Sequence, residues 1–527
     1  MCWENTISKL VKHPPINNSL KTLILPVLIL TAGLLIRLIN LTNIPIFVDE
    51  AIYIRWAQVM RAESTLRFLP LSDGKQPLFM WLTMLTLKLF QDPLVAGRTV
   101  SVLAGTASIL GVGVLSFLLF QNIKISLWTG IFLAFSPFSF FFDRMALVDS
   151  LLTACGIWTF IFSIAAAKYK RLDLALFSGF SLGAALLTKS PAQILIILIP
   201  LAYFIFFKSG KNNWVTSSFQ VTWLILSTYI VSFGMYNLLR LGPQFHMIYL
   251  RNRDYVYPLS EIIAHPGKPL FSNVAGSFSY LSYFLTPPVL IASIFGIIIG
   301  IKNKSPVILL GIIALTIFLS QNLVAKVITA RYFLILIPYL IILAVYFLFH
   351  VISKLKIEKI KSVFFLALFS IWPFWLVSTM LISPQSLNLP RSEKSGYFEL
   401  WTAGHGIKEV SEYLKKQEPR NQPVLVGTEG YFGTLPDGLQ MYLNDRKNIR
   451  IIGIGLYPDK VPQPLSNSLL DNKVYLVIND SRLSISDPPA VGLRLIASFP
   501  KAIQPDGKLE RLLFFKLDAP PSADTQP

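Results

Sequence analysis

Apolar residues gather along this chain into long runs separated by short polar joints. Runs near 22–41, 95–120, 126–142, 150–167, 172–188, 191–207, 219–239, 280–301, 305–324, 332–352 and 362–382 predict about eleven membrane-crossing helices. Most approach the ~20 residues that an α-helix needs to cross bilayer hydrocarbon. The segment 78–90, LFMWLTMLTLKLF, has only 13 residues and carries Lys88, which suits an interfacial or re-entrant helix in the first external loop. Beyond residue 382 the apolar runs shrink to strand length, near 423–427, 449–455, 473–479, 493–498 and 510–516, with a helix near 406–417. Runs of β-branched residues bounded by Pro, Gly and Asn predict strands. The expected fold is therefore a mainly α, polytopic membrane protein with a small C-terminal α/β domain, divided as 1–384 and 385–527.

Composition narrows the class. Of 527 residues, 53% are hydrophobic and 14% charged, with a mean hydropathy of +0.58; a soluble protein has roughly 25% charged residues. An ordinary soluble enzyme and a disordered chain are both excluded. The net charge of +19 would suggest nucleic acid in a soluble domain, but its placement explains it otherwise. With 78–90 not crossing, six loops on one side hold 15 basic residues against Glu4 and Glu358. They are Lys9, Lys12 and Lys21; Lys124; Lys168, Lys170 and Arg171; Lys208 and Lys211; Lys302 and Lys304; and Lys354, Lys356, Lys359 and Lys361. The positive-inside rule puts these loops and the N-terminus in the cytoplasm. Segments 42–94, 143–149, 189–190, 240–279, 325–331 and everything after 382 then lie outside. The first run lacks a small-residue cleavage site and reads as a retained anchor. Cys2 and Cys155 suggest neither a disulfide framework nor a thiolate metal site. The tail APPSADTQP is expected to be disordered.

Ionisable residues collect on the outer side, hard against span ends. Asp49 and Glu50 open an amphipathic segment, VDEAIYIRWAQ. They read either as an N-cap with a charge that complements the helix dipole, or as carboxylates able to act as a base or metal ligand. Lys75, in DGKQPLF, is either a snorkelling lysine or a phosphate ligand. Asp143, Arg144 and Asp149 flank MALV, where a solvated pair and a helix cap are the plain alternatives. Lys189 ends one span; Arg331 and Tyr332 open another, as an interfacial anchor pair or as part of a site. Arg240, Arg251, Arg253 and Lys268 stand among Tyr249, Tyr255 and Tyr257 in the 240–279 loop, as a lipid-phosphate or sugar site or as plain interfacial anchors. Glu429, Tyr431 and Asp437 lie in a turn-rich stretch, TEGYFGTLPDG. Carboxylates beside phosphate-binding cations fit transfer from a phosphorylated donor.

The ordered set VDEAIY, KQPLFMWLTMLTLKLF, AGRTVSVLAGTASILGV, SPFSFFFDRMALVDSLL, GFSLGAALLTKSPA and ARYFLILIPYL resembles the C-superfamily membrane glycosyltransferases. Within that superfamily it is similar to the protein O-mannosyltransferases and aminoarabinose transferases, the family 39-like group. The resemblance covers roughly residues 20–350. It implies a cell-membrane enzyme that moves a sugar from a polyprenyl-phosphate donor to an extracytoplasmic acceptor by an inverting displacement. By motif, Asp49 resembles the base, supported by Glu50, with Asp149 as a second acidic site that Asp143 adjoins. Lys75, Lys189, Arg331 and Tyr332 resemble donor-phosphate ligands, and Arg144 belongs to the same stretch as Asp143. The family often has two prolines after the lysine and a TKGP run; this chain has Gln76–Pro77 and TKSP. Sugar and acceptor (glycolipid, polysaccharide or protein) stay open. A divalent metal is admissible, but His246 and His265 do not have a spacing that demands one. A transporter or flippase of a lipid-linked sugar is the alternative; such proteins place ionisable groups mid-span, and here only Arg37 approaches that.

Overall fold

The structure, a computed structural model, describes residues 16–207, 214–265, 267–303, 306–417 and 422–518. The expected disordered tail and Lys9, Lys12, Lys208, Lys211 and Lys304 lie outside them. Among the described residues six helices are long and apolar enough to cross a bilayer: Pro93–Phe120, Val148–Tyr169, Val215–Leu241, Pro306–Val324, Ala330–Lys354 and Lys359–Ile382. Gly267–Leu285 and Pro287–Ile301 form a pair bent by 110° that makes a seventh candidate. Four shorter apolar helices, Leu23–Leu38, Ile123–Ala134, Leu172–Leu186 and Ser190–Phe206, sit where four more spans are expected. Length alone thus gives six or seven spans, because at 1.5 Å per residue the short helices reach roughly 18–26 Å against ~30 Å of hydrocarbon. Helix Lys359–Ile382 turns Phe364, Leu368, Trp372 and Trp375 outward, a surface suited to lipid and not to water.

Two expected spans are interrupted by proline. The run 126–142 ends its first helix at Ala134 and restarts as Pro137–Phe142. The run 280–301 breaks between Leu285 and Pro287. Proline lacks the N–H that would continue the helical ladder, and its ring pushes the preceding residue out of the helical region.

The first external loop carries helix Val48–Ala62 and helix Leu78–Thr86. The latter has nine residues, about 13 Å, too short to cross. Strand β1 (Ile46–Phe47), which the apolar pattern does not announce, pairs antiparallel with β2 (Ala403–Gly404). This ties the loop to the C-terminal domain.

That domain follows the sequence expectation within a residue or two. Helix Ile407–Gln417 precedes β3 (Val424–Thr428), β4 (Ile449–Gly453), β5 (Lys473–Asn479), β6 (Leu493–Pro500) and β7 (Arg511–Leu517). The order is β4-β3-β5-β7-β6, with β3 parallel to β4 and β5, and β7 antiparallel to β5 and β6. Alternation along each strand separates two apolar faces. Val424, Val426, Val477 and Phe514 join one continuous core with Ile46, Ala51 and Trp56 of the first loop. Leu425, Val474, Leu476 and Phe515 close a small second core with Leu465. Segments 1–384 and 385–527 differ in architecture, yet they share the larger core.

Candidate active site

Helix Val48–Ala62 starts after Phe47, which is its N-cap, so Asp49 sits inside the first turn and is not the cap. Its carboxylate pairs with Arg331, Nη1 to Oδ2 at 2.6 Å. Lys189, in the joint between two helices, donates to Asp149 Oδ1 at 2.6 Å. The other oxygen, Asp149 Oδ2, is buried with no hydrogen-bond partner. The Lys189 ammonium lies 4.3 Å from the centre of the Tyr332 ring, and the Lys75 ammonium 4.4 Å from that of Tyr255. Among the described residues no carboxylate pairs with Lys75. Burial raises the Asp49 carboxyl, but the charges of Arg331, Lys75 and Lys189 outweigh it and hold the group below the usual carboxylate range. Burial lowers the Lys189 ammonium, and the neighbouring Arg331 and Lys75 add to that against the pull of Asp149. The fold thus gathers Asp49, Lys75, Asp149, Lys189, Arg331 and Tyr332 from five separate parts of the chain.

The remaining candidates go elsewhere. Glu50 is fully buried and faces Arg98, which donates from Nε to Oε1 at 2.8 Å and from Nη2 to Oε2 at 2.7 Å. The amides of Phe47 and Ala146 also donate to Glu50, at 2.9 and 2.6 Å. Its lone pairs are spent on holding the loop against the helices. Asp143 and Arg144 are not a solvated pair. Asp143 is buried against Arg37, Nε to Oδ2 at 3.0 Å, and accepts from Ser139 at 2.5 Å. Arg37, fully buried, also donates to the carbonyls of Gly33 and Ala134 at 3.1 and 3.0 Å. Arg144 donates to the carbonyls of Ile39 and Asn40 at the end of the first helix, at 2.9 and 2.6 Å. The bonds of Glu50 to Arg98 and Ala146, of Arg37 to Asp143 and Ala134, and of Arg144 to Ile39 and Asn40 couple the first helix or its loop to the bundle.

Sequence reasoning missed four residues around the cluster. Tyr53 is one helical turn beyond Asp49 and feels its charge. Tyr255 reaches Lys75 from helix Met247–Tyr255, which Arg251 ties to Asp73 of the first loop. Glu393 and Tyr397 come from the segment after the last span. Glu393 Oε1 accepts the Ala330 amide at 2.9 Å, next to Arg331, and burial pushes its carboxyl up to about 7. The Tyr397 ring lies 4.6 Å from that of Phe47. Tyr53 closes the VDEAIY motif and Tyr255 stands among the basic residues of its loop, whereas RSEKSGYFEL carries no pattern that points to a site. Among the described residues no group of three or more His, Cys, Asp or Glu side chains converges to hold a metal.

Residues 74–236 match the family model described as dolichyl-phosphate-mannose-protein mannosyltransferase. No curated protein matches by sequence. Among solved structures, ArnT from Cupriavidus metallidurans bound to undecaprenyl phosphate is similar, with a TM-score of 0.58 and 15% identity over 92% of this chain and 97% of that one. The same protein in the apo state gives a TM-score of 0.56 and 14% identity over 94% of this chain and 99% of that one. At such identity the likeness is one of fold. The family model thus matches residues 74–236, and over nearly the whole chain the fold is similar to that of ArnT.

Proposed function

We propose that this protein transfers a sugar from a polyprenyl-phosphate donor to an acceptor on the outer face of the membrane. The observation that carries the reading is Lys75: it stands near Asp49 and Lys189, yet among the described residues no carboxylate pairs with it. An anionic head group satisfies it. The solved relative is described as bound to undecaprenyl phosphate, and its fold is the one found here.

In the proposed reaction Asp49 takes the proton of the acceptor hydroxyl or amine as that atom attacks the anomeric carbon. The bond from that carbon to the phosphate oxygen breaks with inversion, and its electron pair leaves on the phosphate. The diester's single negative charge becomes a monoester's two, so cations fixed beside it favour the transition state over the ground state. Lys75, which has no carboxylate partner among the described residues, can follow the phosphate, Lys189 stands beside it on Asp149, and Arg331 adds a planar donor set. Tyr332 backs Lys189. Glu50, Asp143 and Arg144 hold the loop that carries Asp49. A polyprenyl chain stays in lipid while its head group enters the loop, which accounts for an enzyme built on so many apolar helices. The N-terminus is assigned to the cytoplasm and residues after 382 to the outside; a cysteine at position 358 labelled from outside overturns this.

Sugar transfer by the purified enzyme tests the mechanism. Asp49→Asn is expected to lower transfer by at least about 10²-fold, the usual worth of a positioned base, with donor binding kept. Lys75→Ala is expected to weaken donor binding as well. Undiminished transfer by Asp49→Asn removes Asp49 from the role of base.

A further inference from the structure

A second polar site lies at the carboxyl ends of β3 and β5, in the C-terminal domain. In sheets with parallel strands this end is where ligands bind, because loops leaving toward opposite faces open a crevice. Its floor is rigid. Glu429, directly after β3, accepts the backbone and side-chain N–H of Asn479, at the end of β5, at 2.6 and 2.7 Å. Lys501, 5% exposed, donates to Asn479 Oδ1 at 2.5 Å and to the Leu400 carbonyl at 3.0 Å. Glu510 takes the amide and hydroxyl of Ser481 at 3.1 and 2.9 Å.

Above this floor Arg482 is almost enclosed yet not consumed. Its guanidinium lies 4.0 Å from the centre of the Trp401 ring and 6.0 Å from that of Tyr457. Its Nε forms an ion pair with Glu429 Oε1 at 3.7 Å, and among the described residues its Nη groups make no hydrogen bond. Stacking fixes the plane of the fork while its donors stay open, the arrangement that recognises a carboxylate. Tyr457 is 57% exposed, and Tyr431, whose hydroxyl lies 3.6 Å from a Cβ built at Gly455 two residues before Tyr457, is 76% exposed. Tyr457 holds φ at +57°, a costly conformation for a bulky residue. Flat exposed rings beside a planar cation suit sugar faces that carry acidic groups.

The crest adjoins the candidate active site. At Gly433, where φ is +125°, a Cβ would lie 3.5 Å from Val48 and 3.9 Å from Trp401. Only glycine adopts that conformation readily, so the loop comes flush against the residue before Asp49. The Phe432 ring packs 5.7 Å from Trp56 on the same helix as Asp49. We propose that Trp401 and Tyr457 around Arg482, with Tyr431 beside Gly455, bind an acidic oligosaccharide. That this glycan is the acceptor presented to Asp49 rests on the function proposed above.

The probe is hexagalacturonate, with maltohexaose as the neutral control, titrated into the full-length protein in nanodiscs. Saturable hexagalacturonate binding is expected, weakened roughly tenfold or more by Arg482→Ala, the scale of one charge-assisted contact. Tyr431→Ala and Tyr457→Ala, at exposed positions, should weaken it without unfolding. Asp49→Asn should bind as the parent does, so loss of transfer and loss of binding are read separately. Absence of saturable binding, equal affinity for maltohexaose, or undiminished affinity in both Arg482→Ala and Tyr431→Ala overturns the proposal. So does quenching of Trp401 by brominated lipid, which would make the crest a membrane anchor.

Discussion

Asp49 and Glu50 are adjacent in the chain, and their carboxylates point to different partners: Asp49 to Arg331 and Glu50 to Arg98. Residues one apart on a helix are turned about 100° from each other. One acid therefore faces the open cluster while its neighbour is sealed in the core. Glu50→Gln should break a buried pair and leave Arg98 uncompensated, at a cost of about 3–5 kcal/mol. Asp49, whose pair with Arg331 keeps partial exposure, should lose less stability on substitution by Asn than Glu50 does by Gln. Thermal midpoints of the two variants in detergent check this; equal midpoints would remove the distinction.

Gly105 leaves room for the Arg37–Asp143 pair. A Cβ there would stand within 2.2 Å of Asp143 Oδ2 and 2.3 Å of its Cγ. Because that carboxylate is held by Arg37 and Ser139, it has little freedom to retreat. Gly105→Ala is expected to destabilise by about 1–3 kcal/mol, the usual scale of overpacking, although alanine is the better helix former. A raised midpoint would show that the pair shifts freely.

Glu393 gives stability a pH dependence of definite sign. Its carboxyl is raised from 4.5 to about 7 by burial, opposed by the Ala330 amide and Arg331. A raised carboxyl means that the folded protein keeps its proton where the unfolded chain has lost it. The stability this gives is full below about 4.5 and is lost as pH rises to about 7, by roughly 3 kcal/mol if nothing else titrates. Glu393→Gln should flatten that slope. Denaturation midpoints across this range, compared between parent and variant, provide the check.

The residue pattern alone determined the class, the sites of most apolar helices and each of the five strands of the C-terminal sheet. Those features depend on local chemistry: runs long enough to cross lipid, alternation with a period of two, and prolines that end helices. The motifs also selected Asp49, Lys75, Asp149, Lys189, Arg331 and Tyr332, which the fold gathers into one neighbourhood. What local chemistry could not decide was the direction in which a charge points. Asp143 and Arg144 read as surface charges because a charged pair next to a span end is ordinarily solvated; only the packing of Arg37 against Asp143, and of Arg144 against the end of the first helix, buries them. Glu393 and Tyr397 were invisible because their role depends on the C-terminal segment folding back onto the first loop. That contact is made by β1 and β2 across more than three hundred residues, and nothing in either short segment encodes its distant partner.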